Sequence, residues 1–406
     1  MVLAVTKNNT VSSLMTNGAS TVNEPSVASS GDVCLYTGNW YAGYSTDGGS
    51  SWTSMSPYSH FPAVNNGFCC DQSLIHAPQI DNFFWLLQYS EDASSNTLRV
   101  ANCLSSNVAT NGWTYLDLVP GQINPAWNGE WFDYNHIALS DNYLYVGTNM
   151  FYINGGFSRS VIFRMKLASF VDDGDGFVLE YFESPDLGSL RCVMGATDTM
   201  YFASHRYNDL IEVFAWPESS PSPSMTQVSI SAWNWGNAYY ANTAGAPNWM
   251  GRLTDGRITA GFNTDNEIGF AWSAPVQDGR KNPFVRCVVI DKGSMTLKRD
   301  QDIWHDDYAF GWPEMCPDNS GTVGVSLFVS SNSIHPSHAV GTLNNVTSSW
   351  NLSLTNRGID TAASGTWGDY IHMRPLNGQN GWVTSGYTMQ GGNQTTNVDP
   401  RYIEFV

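Results

Sequence analysis

Two segments of the chain carry one pattern, Asp133-Tyr134-Asn135-His136 and Asp369-Tyr370-Ile371-His372. A carboxylate, a phenol and an imidazole within four residues are groups that move protons during catalysis. His205-Arg206 adds a titratable ring beside a permanent cation, a pair able to neutralise a uronate and leave an acid or base next to it. Asp71 and Glu314 supply further carboxylates. Two carboxyl groups about 5 Å apart would hydrolyse a glycosidic bond with retention, and roughly 6.5–9.5 Å apart with inversion. The candidate catalytic set is therefore His205, Arg206, Tyr134, Tyr370, Asp71, Asp133, Asp369 and Glu314. Around it, Asn39, Trp40, Gln88, Tyr89, Asn149, Arg191, Trp249, Asn263 and Tyr387 offer amides, a guanidinium and rings that bond hydroxyls and stack on sugar faces. Strict alternation along a strand puts His136 and His372 on the side of Tyr134 and Tyr370, opposite Asp133 and Asp369, so a regular strand does not bring all three into one pocket. A duplicated structural unit also accounts for the repeated pattern without any chemistry.

These residues sit in a recurring unit: a polar residue leads a short apolar strand, a turn of Asp, Asn or Gly follows, and a second apolar strand ends in small, amide or aromatic residues. Asp71 to His76, Asp81-Asn82 and Phe83 to Tyr89 form one copy; Asp133 to Ile137, Asp141-Asn142 and Tyr143 to Asn149 form the next. The other copies turn at Gly31-Asp32, near Asp198, at Asp255-Gly256, at Asp318 to Gly321 and at Asn377 to Gly381. In the fifth, Asn248 to Leu253 leads and Asn263 closes. The turns recur every about 58 residues, one seventh of the chain. Seven such units closing a ring predict an all-β fold, a seven-bladed β-propeller of four-stranded antiparallel blades spanning residues 1–406 as one domain. Either the strand at Val2 to Val5 or that at Tyr402 to Val406 completes the last blade. In this architecture both ends of each hairpin converge on one funnel, which is what selects the candidate residues.

Ser45-Thr46-Asp47-Gly48-Gly49-Ser50-Ser51-Trp52 fits the Ser-x-Asp-x-Gly-x-x-Trp Asp-box. The chain thereby resembles the Asp-box (BNR-repeat), sialidase-like β-propeller superfamily, which includes glycosidases, polysaccharide lyases and non-catalytic sugar or protein binders. The resemblance implies an outer turn between third and fourth strands, with Asp47 and Trp52 structural. Sialidases of this superfamily open with a Phe/Tyr-Arg-Ile-Pro segment and hold substrate with three arginines. This chain opens its first blade Asn23-Glu24-Pro25-Ser26, and Arg191, Arg206, Arg252, Arg286 and Arg374 suggest no triad, which disfavours sialic-acid hydrolysis. By analogy with propeller lyases, His205, Arg206, Tyr134 and Tyr370 would abstract a proton beside a uronate carboxyl and stabilise the enolate.

Composition narrows the partners. The formal net charge is −18, from 36 acidic and 18 basic side chains without a basic stripe, which argues against nucleic acid. The longest apolar runs, such as Phe83 to Leu87, fall well short of the roughly 20 residues of a membrane-spanning helix. No Rossmann, phosphate-loop or His-Glu-x-x-His motif is present, so no cofactor or metal is expected. The segment 171–177 reads as a solvated turn and not as a calcium loop. The 7 cysteines are too few for a disulfide scaffold, and Cys69-Cys70 reads as two buried thiols, with a vicinal disulfide as the alternative. Sequons at Asn8, Asn345, Asn351 and Asn393 lean towards a secreted protein, although the N-terminus carries no secretory signal pattern. The expected partner is a poly- or oligosaccharide bound at one central site. The expected activity is that of a lyase or glycoside hydrolase, with a lectin or a protein-docking platform as the other readings.

Overall fold

The computed structural model describes all residues except 1–2, 16–21, 172–176, 246–247, 252–254, 345–346, 363–364 and 392–396. Val2, Arg252, the core of the 171–177 turn, and the sequons at Asn345 and Asn393 lie outside or partly outside the described residues. The strands form seven four-stranded antiparallel sheets, the blades of a propeller. The innermost strands are Ser26–Ser30, Phe68–Ala77, Glu130–Leu139, Arg191–Cys192, Ala260–Asn263, Tyr308–Pro317 and Met373–Pro375. Each touches the next and the seventh touches the first, so the ring closes around a central channel. No helix among the described residues is long and apolar enough to cross a membrane.

Both terminal strands take part in closure. Val398–Phe405 is the third strand of blade seven, and Val5–Thr10 pairs antiparallel with it as the outermost, Val5 opposite Phe405 and Thr10 opposite Arg401. The first strand of the chain thus locks the last blade.

The near-continuous apolar runs arise because each blade is covered on both faces. Along Asn82–Tyr89, Phe83, Trp85 and Leu87 pack with Ala28 and Leu35 of blade one, while Phe84 and Leu86 pack with Phe132 and Ile137 of blade three. Alternation survives as a choice of neighbouring blade, not of core against solvent.

The segment 45–52 joins the third and fourth strands of blade one, Tyr41–Ser45 and Thr53–Met55. Asp47 Oδ1 accepts from the backbone N–H groups of Ser50 (3.0 Å) and Ser51 (2.8 Å), and these bonds with the Ser45 and Ser51 hydroxyls hold its carboxyl well below the usual range. Gly49 has φ +81°, and a Cβ there would lie 2.8 Å from the Tyr402 ring. Trp52 packs edge-on to Tyr36, ring centroids 5.9 Å apart.

Blade five departs from the sequence reading. Its innermost strand is Ala260–Asn263 and its second is Glu267–Ala274, so Asn263 closes the first strand instead of returning to the funnel. Trp249 and Met250, read as a leading strand, are fully buried outside any sheet, with Trp249 against Trp312 and Trp367. Their apolar character serves packing between blades, and Asp255 to Arg257 beyond them line a cleft. Cys69 and Cys70 are joined as a disulfide, whereas Cys34, Cys103, Cys192, Cys287 and Cys316 are free and buried.

Candidate functional site

Three of the innermost strands do not start as regular strands. Register shifts fall between Phe68 and Gln72, between Asp133 and His136, and between Gly311 and Glu314. Glu24, Tyr134 and Trp312 take positive φ (44°, 55° and 51°) at matching points of blades one, three and six. A bulge of this kind re-aims successive side chains. It overturns the alternation expected for Asp133 and Tyr134, which line the same cleft.

That cleft has a volume of about 640 Å³. Asp133, Tyr134, Asn149, His205 and Asp369 line it, as do Asp255, Arg257, Trp235, Ser189, Ser204, Phe151 and Phe157. The two Asp-Tyr-x-His segments meet here: the Tyr134 and Tyr370 rings lie edge to face with centroids 6.2 Å apart. Arg257 sits 4.3 Å above the Tyr134 ring, binds Asp255 at 2.5 Å and lies 4.0 Å from Asp369 Oδ2. Glu24 accepts from the Asp369 backbone N–H at 2.8 Å and from Asn39 Nδ2 at 2.9 Å, tying blades one and seven. Gln88 donates to Asp133 Oδ1 at 3.2 Å and accepts from Asn135 at 2.5 Å. Asn149 accepts from Ser160 Oγ and from the Ser189 N–H and donates to Ser189 Oγ.

Crowded acids set the electrostatics. Burial, with the charges of Asp133 and Asp369, pushes the Asp71 carboxyl up to about 8, while the neighbouring Tyr370 hydroxyl and Glu24 partly offset this. Burial lifts Asp369 to about 6 against the opposing pull of Arg257. Glu24 is raised well above the carboxylate range by burial and then by Asp71 and Asp369. Asp133 is raised by burial, with the Gln88 bond opposing. His205 packs against Trp272 (4.6 Å) and Trp233 (5.2 Å), and burial depresses it to about 4, so it is a neutral imidazole at pH 7. Burial raises both Tyr134 and Tyr370.

A pH dependence of stability follows. A carboxyl whose folded pKa exceeds its unfolded value stabilises the fold below about pH 4, and that contribution is lost as pH rises through the folded pKa. The depressed histidines act oppositely below about pH 6.5, where the unfolded chain takes up protons they refuse. Between about pH 6.5 and 8 the Asp71 contribution acts without that opposition and costs about 2 kcal/mol. Chemical denaturation over this window should show stability falling with pH in the wild type and a flatter profile for Asp71→Asn. Equal slopes would mean that Asp71 does not titrate there.

Other sequence-selected residues lie elsewhere. Arg206 does not line the cleft; it sits at a register shift between His205 and Tyr207, 3.8 Å from Glu212 and over the Tyr207 ring. Glu314 and Arg191 form an ion pair (2.5 Å) deeper in the channel, each at most 5% exposed. Tyr89 accepts from Arg99 (2.7 Å) inside blade two. Trp249 and Tyr387 are buried, the latter stacked on Trp367 at 4.9 Å, so neither presents a face for stacking. Asn263 donates to Gly195 O at the opposite end of its strand. Trp40 is half-buried in the turn after Val33–Gly38 and does not line the cleft. Arg257, Asp255 and Trp235 were missed. Asp255-Gly256-Arg257 had the form of a hairpin turn, and Trp235 belongs to a linker between blades four and five whose only mark is the Trp233-Asn-Trp235 pair.

No protein-family model and no curated protein matches the chain. Solved structures similar to it include a protein of unknown function from Dyadobacter fermentans, at 10% identity and TM-score 0.48 over 100% of this chain and 99% of that one. The Dos1 propeller is similar at 12% identity and TM-score 0.47, over 99% and 95%. A sialidase from Trypanosoma rangeli in complex with 2,3-difluorosialic acid follows at 10% identity and TM-score 0.43, over 82% of this chain and 58% of that one. The chain thus spans less than two thirds of that sialidase, and its likeness to these proteins is one of fold, not of chemistry.

Proposed function

We propose that the protein hydrolyses a glycosidic bond of a neutral oligosaccharide in the funnel cleft. The observation that carries this reading is the crowding of acids around the cleft, where Asp133 and Asp369 line the wall and burial with neighbouring charges pushes Asp71 up to about 8 and Asp369 to about 6. Between these values one is an acid able to protonate a leaving oxygen and the other a carboxylate able to act as nucleophile or base. Arg257 holds the charge on Asp369 and Glu24 fixes its backbone. The cleft wall adds Trp235, 50% exposed, and Phe157, 38% exposed, as surfaces for sugar faces.

Charge favours hydrolysis over uronate elimination. Among the described residues Arg257 is the arginine of the cleft, and Asp255 and Asp369 already engage it. A uronate would have to displace one of them while facing Asp133. The same count leaves no three-arginine clamp for sialic acid among the described lining residues.

The test is a panel of neutral and uronic oligosaccharides scored for new reducing ends and for absorbance near 235 nm. Reducing ends from neutral substrates without absorbance are expected. Absorbance would replace hydrolysis by elimination, and binding without turnover would make the propeller a lectin. Trp235→Ala should raise KM about fivefold with kcat nearly unchanged, since stacking contributes about 1 kcal/mol of binding. An unchanged KM would remove Trp235 from the binding surface.

A further inference from the structure

Below the tyrosines the channel holds a buried charge imbalance. His136 and His372 come first, both depressed well below the usual range by burial and by the nearby guanidinium groups of Arg191 and Arg374, and so neutral. Arg191 and Arg374 then face one carboxyl, Glu314. Arg374 is 3% exposed. Its Nε donates to Leu74 O at 2.9 Å and its Nη1 to Met373 O at 3.0 Å, while Nη2 and the Nε of Arg191 find no protein acceptor.

Arg374 also forms part of the wall of a second cavity, of about 260 Å³, at the face opposite the carboxylate cleft. The innermost strands end there, and Ser29, Ser140, Asn319 and Asn377 line the same cavity as Arg374, among Ile75, Met194 and Leu376. The acids nearest this face are partly engaged, although Asp318 Oδ2 is buried without a partner among the described residues and Asp141 is raised by burial and by Glu218 and Asp198. Asp318 accepts from its own turn at Ser320 and Thr322, Glu218 binds Ser140 and Asn142, and Asp81 meets His76.

We propose that this far mouth of the channel binds a compact anion, a halide, a short carboxylate or inorganic phosphate, on the Arg374 guanidinium. Two buried cations against one buried carboxyl leave positive charge that an anion would neutralise at low solvation cost, and the cavity supplies room and polar neighbours where a donor is unused. The cavity is too small for a chain of sugars, and the proposal does not depend on the function assigned to the cleft.

The test has two arms. Wild-type crystals soaked in sodium bromide should show an anomalous peak within hydrogen-bond reach of Arg374. In solution, saturating sodium formate or phosphate should raise Tm by roughly 3 °C. The rise should vanish in Arg374→Met and persist in part in Arg374→Lys, with identical salts serving as the ionic-strength control. The relative shifts with formate and with phosphate tell which anion is preferred. Absence of the bromide peak at Arg374, or an equal Tm rise in Arg374→Met, would overturn the proposal. If Arg374→Met does not fold, the diffraction arm on the wild type decides.

Discussion

Asp369→Asn is expected to lower kcat/KM on the neutral substrate by about a thousandfold, the scale of losing a reacting carboxylate. The substitution keeps the shape of the side chain and the backbone N–H bond to Glu24, so the fold should survive. Stability at pH 8 should rise, because one of the charges crowding Asp71 and Glu24 is gone. A more stable fold with less activity is the pattern of a site that holds like charges together for function. The pH profile supplies a second check. The wild-type rate should follow a bell between about pH 6 and 8, limits that belong to the coupled carboxyls as a set. Retention of more than about a tenth of the activity, against the range expected for general acid–base residues, would take Asp369 out of the reaction.

The blades were readable because their causes are local. Turns such as Asp81-Asn82 and Asp141-Asn142 and the apolar runs beside them mark hairpins, and hairpins at even spacing close a ring. The matched segments carrying Tyr134 and Tyr370 were visible in the sequence, but the contact between their rings was not. What sequence could not show is where the backbone leaves the strand. Tyr134 at positive φ is not a glycine and gives no compositional warning, yet that one bulge decides that Asp133 and Tyr134 share a cleft. Trp249-Met250 resembles a strand because the space between blades and the interior of a sheet demand the same side chains. The arginine of the cleft was misplaced for a related reason. His205-Arg206 looks like a functional pair in one dimension, whereas an irregularity at the strand end leaves Arg206 beside Glu212 and a loop brings Arg257 from about fifty residues away.

Arg191→Met should cost 3–5 kcal/mol of stability, roughly the loss when one partner of a buried ion pair is removed. The loss should itself depend on pH. Burial lifts Glu314 to about 7 even with Arg191 and Arg374 pulling it down, so without Arg191 it moves higher. A carboxyl raised above its unfolded value loses its stabilising contribution as pH rises through the folded pKa, so the variant should be hurt more at pH 8.5 than at pH 5.5, where Glu314 folds in protonated. Adding Glu314→Gln should restore part of the loss at the higher pH, because the double variant buries an amide in place of an unpaired charge. Glu314 lies well below the cleft, so the double variant should keep the acid and alkaline limits of the rate profile assigned to Asp369 and Asp71. If those limits moved, the Arg191–Glu314 pair would be electrostatically continuous with the carboxylates above it. If they stayed, the neutral layer of His136 and His372 would be what separates the cation-rich lower channel from the acid-rich cleft.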